Sequence, residues 1–218
     1  MSEPESIDPF DSFSAIYCIN LDRATDRWET AQRRFSQLGL AQRVIRMSAV
    51  DTPHNHHVGC AQSWRRIIAE AERRHEESVL ILEDDVIFRR DTRDVLGVAL
   101  QELEGIEWDL LYLGGALHGT PTTAVSGRAS LRQCGYIACT HALALHRRCH
   151  RRLLEGIPEG GPALEEWIAQ WRAIDQYFGL AIQGGLFTAF ITEPRLATQR
   201  ELMAYAGGDL AAAEHFAV

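Results

Sequence analysis

The sequence predicts a single-domain α/β fold with a mostly parallel central sheet flanked by helices. Three observations predict it. Residues 15–51 run apolar stretch, helical pattern, second apolar stretch, which is the spacing of a βαβ unit. Val79-Leu80-Ile81-Leu82 is apolar without interruption, as a strand buried on both faces must be, and Glu83, Asp84 and Asp85 follow at its carboxyl end. A chain of 218 residues with no internal repeat and no linker is long enough for one sizeable core, so one domain is the default.

In chain order, residues 1–12 are polar and acidic and are expected to be loose, with one domain over 13–218. Ala15 to Asn20 reads as the first strand. A helix follows, with Thr25 as N-cap, Asp26 in its first turn, Trp28, Ala31, Phe35 and Leu38 as its apolar face, and Gly39 as the stop. Arg43 to Met47 gives a second strand leading to Ala49-Val50-Asp51. Thr52 to Val58 reads as a loop whose His54, His56 and His57 are solvated; their spacing suits no helical zinc site and no cysteine pair accompanies them. Residues 59–75 read as a helix burying Cys60, Trp64, Ile67, Ile68 and Ala71, and the apolar run with its three acids is the third strand.

Thr92 to Glu104 has a helical apolar stripe, and Trp108 to Leu113 is a fourth strand closed by Gly114-Gly115. Residues 116–131 are rich in Gly, Thr, Pro and Ser, and long loops of this kind often carry function. Gly135 to Cys139 reads as a short strand, with Thr140 capping a helix over 141–155. A turn over 156–162 precedes an amphipathic helix over Glu165–Phe178, and Leu186 to Ile191 reads as the last strand. The alanine-rich tail from Ala204 is weakly determined.

The totals exclude several function classes. Hydrophobic content of 46% with 24% charged residues is ordinary for a soluble globular protein, and a net charge of −8 disfavours a non-specific grip on nucleic acid or anionic membrane. All 22 basic residues are arginine. Without lysine the chain can form no Schiff base, no pyridoxal site and no P-loop, and arginine must handle any anion, which suits bidentate phosphate contacts. Five cysteines, odd in number and without CxxC spacing, read as small buried residues in a reducing compartment. The acidic N-terminus has no apolar signal core and no run reaches membrane length, so a cytoplasmic protein is expected.

The acids at 83–85 carry the chemistry. Carboxyl ends of strands are where open α/β sheets bind ligands. Adjacent acids repel, so one is partly protonated unless a cation sits among them. A hard divalent ion, Mn²⁺ or Mg²⁺, takes such oxygen ligands and commonly brings a substrate phosphate. The plainer alternative is a solvated acidic turn.

Four blocks in order resemble glycosyltransferase family 25, the group of lipooligosaccharide and collagen galactosyltransferases. Ile19-Asn20-Leu21-Asp22-Arg23 with Asp26-Arg27 is similar to its INLDRxxDR opening, Ala49-Val50-Asp51 to its AVD element, Gly59-Cys60-Ala61-Gln62-Ser63 to its GCxxSH helix start, and Val79 to Val86 to its vLILEDDv core. Weaker matches, at Tyr112 to Gly115, Gly135-Tyr136-Ile137, Asp175, and Pro194 with Gln199, extend the resemblance over roughly residues 15–200. Trp64 departs from the family's histidine, Cys139 stands where serine is usual, and no family pattern is found after Gln199.

The resemblance implies a GT-A-like (Rossmann-type) fold, a UDP-sugar donor of galactose or glucose, a divalent metal and inversion at the anomeric carbon. It assigns the metal to Asp85 with Asp84, and donor contacts to Asn20, Leu21, Arg23, Arg27, Asp51, Ser63, Glu83 and Asp84. Inversion needs a base opposite the leaving group. Family position nominates Asp175, with Glu165 and Glu166 in reserve. His215 is a further metal candidate in the tail. The acceptor is open between glycan, peptide and small natural product, and the oligomeric state is unspecified. Two other classes compete: a non-catalytic domain that binds a nucleotide or protein, and a metal-dependent phosphate-ester hydrolase, which would need more carboxylates at strand ends than Asp51 supplies.

Overall fold

The computed structural model describes residues 8–199. In chain order the elements are a short 3-10 helix (Pro9–Ser12), β1 (Ala15–Asn20), α1 (Thr25–Gln37), β2 (Val44–Ser48), α2 (His56–Arg73), β3 (Ser78–Glu83), β4 (Val86–Phe88), α3 (Thr92–Leu103) and β5 (Leu110–Tyr112). There follow β6 (Thr122–Ala124), β7 (Leu131–Cys134), β8 (Ala142–His146), α4 (Arg147–Gly156), α5 (Gly161–Trp171), α6 (Ile174–Gln183), β9 (Ala189–Thr192) and β10 (Ala197–Gln199).

Eight strands form one sheet in the order β2-β1-β3-β8-β5-β9-β7-β6, and β10 pairs with β4 in a small second sheet. β8 and β7 run against both of their neighbours, and the other strands of the large sheet all point one way. The mostly parallel α/β architecture expected from the sequence is therefore present.

Alternation along the strands decides which residues meet which layer. Tyr17, Ile81, Tyr112, Leu143 and Ile191 face a core built with α2, α4, α5 and α6. Ile16, Leu80, Leu82, Leu111, Ala144 and Phe190 face a second core with α1, α3 and the N-terminal turn. Burial on both faces is why β3 reads as an unbroken apolar run.

Several expectations change. Residues 8–12 are not loose. Phe10 is fully buried, and Asp8 bonds to Arg43 at 3.1 Å and to Arg93 at 2.5 Å, which fixes the turn against α3. Residues 1–7 lie outside the described residues. Thr25 opens α1 but does not cap it, since Ala24 holds the cap position without a side-chain bond. The helix expected over 141–155 is instead strand β8 followed by α4. Ala142-Leu143-Ala144-Leu145 is inserted between β3 and β5 and fully buried, and so short an apolar run does not reveal its own period. The strand expected over 135–139 lies earlier, as β7; only Ala138 makes a bridge, to Ala116. The helix expected over 165–178 is two helices, broken where Arg172 takes a left-handed φ of 69°. Among the described residues no helix is long and apolar enough to cross a membrane.

Candidate functional site

The carboxyl ends of β1, β2 and β3 lie side by side, with Asn20 paired to Ser48 and Ile19 to Glu83. They open into a cleft of about 370 Å³ lined by Asn20, Leu21, Arg23, Arg27, Asp51, Ser63, Glu83, Asp84 and Asp85 among others. Every residue assigned to donor or metal from the sequence, His215 apart, thus lines a single cavity. Their individual geometry divides them into a frame and a contact surface.

The frame comes first. Asn20 is 1% exposed. Its amide oxygen accepts from Arg46 at 2.6 and 3.0 Å, and its amide nitrogen donates to Asp84 Oδ2 at 2.5 Å and to Ala24 O at 3.2 Å. With these bonds made, the Asn20 amide is engaged within the protein and orients Asp84. Asp84 is itself buried and meets Arg27 Nη2 at 3.3 Å as well, so its charge is already matched. That engagement argues against the metal-ligand role expected for Asp84.

Ser63 belongs to the frame too. Its hydroxyl donates to Gly59 O at 2.6 Å and accepts from Val50 N at 2.8 Å, tying α2 to the segment after β2. Both bonds of the Ser63 hydroxyl, for which a donor contact was expected, are thus internal. Gly59 is required at the same junction: a Cβ there would fall 2.2 Å from Val50 O and 2.5 Å from Thr52 Oγ1.

The contact surface is what remains. Arg23 and Asp51 face each other at the cleft's rim in a bidentate pair at 2.7 and 3.2 Å, and the Arg23 bond holds the Asp51 carboxyl below its usual range. Glu83 is half-buried, and burial pushes its carboxyl up to about 7, with Asp85, Asp175 and Asp84 adding to the rise and the Thr140 bond opposing it. Asp85 follows in the turn between β3 and β4, whose carbonyls at 85 and 86 accept from Arg34 at 3.3 and 3.0 Å. Among the described residues no group of three or more His, Cys, Asp or Glu is arranged to hold a metal by itself.

Asp175 lies in the first turn of α6, half-buried, outside the cleft's lining. Its charge nevertheless acts on Glu83 and on the Cys60 thiol, both pushed up chiefly by burial. The fold therefore brings residue 175 beside acids ninety positions earlier in the chain. Glu165 lines a neighbouring cavity of about 510 Å³ with Asp51, Thr52, Pro53, His54, Asn55 and Val58, and Glu166 is exposed on α5. His215 lies outside the described residues.

The start of α2 departs from expectation, while Trp64 is buried as expected. His56 lines the cleft, since α2 begins at His56 under an Asn55 cap, three residues before the expected start. Asparagine is a preferred N-cap, and that signal was available in the sequence. Trp64, in place of the family histidine, is fully buried and packs edge-on against Phe178 of α6 at 5.5 Å. Position 64 supports α6 from below and offers nothing to the cleft.

No family model matches the chain. It is 30% identical over 174 residues to the human protein named inactive glycosyltransferase 25 family member 3, a match covering 67% of this chain and 29% of the relative. A Drosophila melanogaster glycosyltransferase 25 family member is 25% identical over 174 residues, covering 67% and 28%. The chain thus spans less than a third of the length of either relative. Among solved structures it is similar to A197 from STIV (TM-score 0.45, 13% identity, 85% of this chain and 93% of that one). It is also similar to a glycosyltransferase involved in glycosylation of the PBCV-1 major capsid (TM-score 0.43, 11% identity, 82% and 91%). With the four sequence blocks gathered at one cleft and both curated relatives drawn from one family, the chain is a glycosyltransferase 25-like protein.

Proposed function

We propose that the protein is an inverting, metal-dependent glycosyltransferase that moves a hexose, galactose or glucose, from a UDP-sugar to an acceptor hydroxyl. The observation that carries this reading is the cleft itself: the carboxylates at the end of β3 share one cavity, open to a small molecule, with Arg23 and with Arg27 of α1.

The residues fit a divalent cation at Glu83 and Asp85 and not at Asp84. Burial pushes Glu83 toward neutrality and the charges of Asp85, Asp175 and Asp84 add to the rise, which a cation would oppose, whereas Asp84 already has Arg27 and Asn20. Mn²⁺ or Mg²⁺ held there would neutralise charge on the departing diphosphate. Arg23 can exchange Asp51 for a phosphate or ribose, because both partners are exposed at the rim and such a pair contributes little on its own. Leu21 and Pro53 supply the apolar surface a base or ribose needs. Asp175 serves as general base, taking the proton of the acceptor hydroxyl as it attacks the anomeric carbon on the face opposite the diphosphate.

UDP release from UDP-galactose and UDP-glucose with Mn²⁺, read alongside UDP affinity, tests this. Asp175→Asn is expected to cut turnover by about 10²–10³-fold and leave UDP affinity within about threefold. Unchanged turnover would move the base role to Glu165 at the adjoining cavity. A wild-type chain that binds UDP but releases none from either sugar nucleotide would point to the non-catalytic binding domain. Phosphate release instead of sugar transfer would point to the hydrolase.

A further inference from the structure

The segment between β7 and β8 touches both carboxylates that the proposed reaction needs. On one side it holds α6. Cys139 N–H donates to Asp175 Oδ2 at 3.1 Å, and the Tyr136 hydroxyl donates to Gln176 Oε1 at 2.9 Å. Gly179 lets the segment lie flat on the helix, since a Cβ there would fall 2.6 Å from the Tyr136 ring and 2.9 Å from Ile137 O. On the other side it holds β3. The Thr140 hydroxyl donates to Glu83 Oε1 at 2.8 Å, and Glu83 N–H donates to His141 O at 3.1 Å. Ala138 exchanges backbone bonds with Ala116 at 2.8 and 2.9 Å, which pins the middle.

Adjacent residues thus face opposite ways, one toward each acid. The turn that allows this is at Cys139, whose φ of 66° is left-handed, a conformation that a non-glycine residue keeps only where its surroundings enforce it. We propose that Cys139 and Thr140 are positioning residues for the transfer, fixing where the Asp175 carboxylate stands relative to Glu83 at the donor. This rests on the reaction proposed above. Its physical basis is that a base misplaced by roughly 1 Å can cost on the order of 10²-fold in rate.

The test separates turnover from binding. Thr140→Val removes the hydroxyl and keeps the shape; Thr140→Ser restores the hydroxyl. Each is assayed for UDP release from UDP-galactose and UDP-glucose with Mn²⁺, and for UDP affinity by calorimetry. Thr140→Val is expected to lower kcat by about 10–100-fold with KM and UDP affinity within about threefold, and Thr140→Ser to stay within about threefold of wild type throughout. Cys139→Gly, which accepts the left-handed φ without strain, is the second variant. It is expected to fold and to lose about tenfold in kcat through a looser Asp175. Wild-type kcat in both Thr140→Val and Cys139→Gly overturns the positioning role, as does a Thr140→Ser loss equal to that of Thr140→Val. An equal loss of UDP affinity and turnover makes Thr140 a donor contact and overturns it too. Wild-type UDP binding without any UDP release overturns the proposed reaction and this role together; wild-type release with unaltered variants overturns this role alone.

Discussion

The β2-β1-β3 side of the sheet and the β8-β5-β9-β7-β6 side are held together differently. The first is parallel throughout, and its helix α2 is seated by close backbone approach: Gly59 against Val50, with Ser63 and Thr52 bonding across the gap. The second reverses direction at β8 and again at β7. A buried carboxylate joins its parts: Asp109, 3% exposed, accepts from Arg152 at 2.5 Å and from Thr188 N at 2.9 Å, and meets Arg148 Nε at 3.4 Å. Asp109 thereby ties the start of β5 to α4 and to the approach of β9. The first side carries most of the candidate site residues and the second is closed by a buried ion pair; the two join along the β3–β8 pairing, with Asp175 and the 135–141 segment at its cleft end.

The largest expected stability effect breaks the second side. Asp109→Ala leaves Arg152 and the Thr188 N–H without their acceptor and is expected to cost about 3–4 kcal/mol in guanidinium unfolding. UDP affinity of the protein that remains folded should be unchanged. Gly59→Ala strikes the first side and is expected to cost roughly 2–3 kcal/mol, because the new methyl must displace the Val50–Thr52 backbone. Here UDP affinity should fall as well, since Asp51 and Thr52 line the cleft. Equal effects on affinity from the two variants would erase the distinction between the sides.

A smaller effect sharpens it through pH. His141 opens the approach to β8, is fully buried, and burial lowers its imidazole from 6.5 to about 4, the Arg195 charge adding to the drop while its bonds to Ala197 O and Gln199 oppose it. A depressed folded value means the unfolded chain takes the proton first. The stability from keeping His141 neutral is therefore complete above pH 6.5 and lost as pH falls toward 4, by up to about 3 kcal/mol. His150, also buried and lowered by burial, adds in the same direction. Unfolding of wild type and His141→Gln at pH 7 and pH 5 should give a shallower pH slope for the variant; identical slopes would remove His141 from the account.

The two sides also differ in how much of them was legible before folding. β1, β2 and β3 are neighbours in the sheet with β1 in the middle, so the strands and the acid run read from the sequence, with the family resemblance naming the residues, put all nine donor and metal candidates at one cleft. What the residues themselves did not reveal was division of labour. Asn20, Ser63 and Asp84 were nominated by the resemblance, and only the folded chain gives their internal hydrogen-bond partners. On the other side, β8 inserts between β3 and β5 from far along the chain, and a five-residue apolar strand followed directly by a helix carries no period that separates the two. The break at Arg172 was hidden for a related reason: the apolar face of Trp167, Ile168, Ile174 and Phe178 continues across it, because both helices pack on the same core. Asp175 was nominated by resemblance alone, since no local pattern joins it to Glu83.

The proposed function stands or falls with a metal-assisted nucleotide site at Glu83 and Asp85. Melting curves of wild type and Asp85→Asn with UDP, UDP-galactose and UDP-glucose, each with and without Mn²⁺, test it most directly. At about 100 times its dissociation constant a ligand adds roughly 2.7 kcal/mol of stability, which a melt resolves. The account predicts a Mn²⁺-dependent rise with UDP and with one of the two sugar nucleotides in wild type, lost in Asp85→Asn. No rise with any nucleotide, or a rise that Asp85→Asn leaves intact, would contradict it.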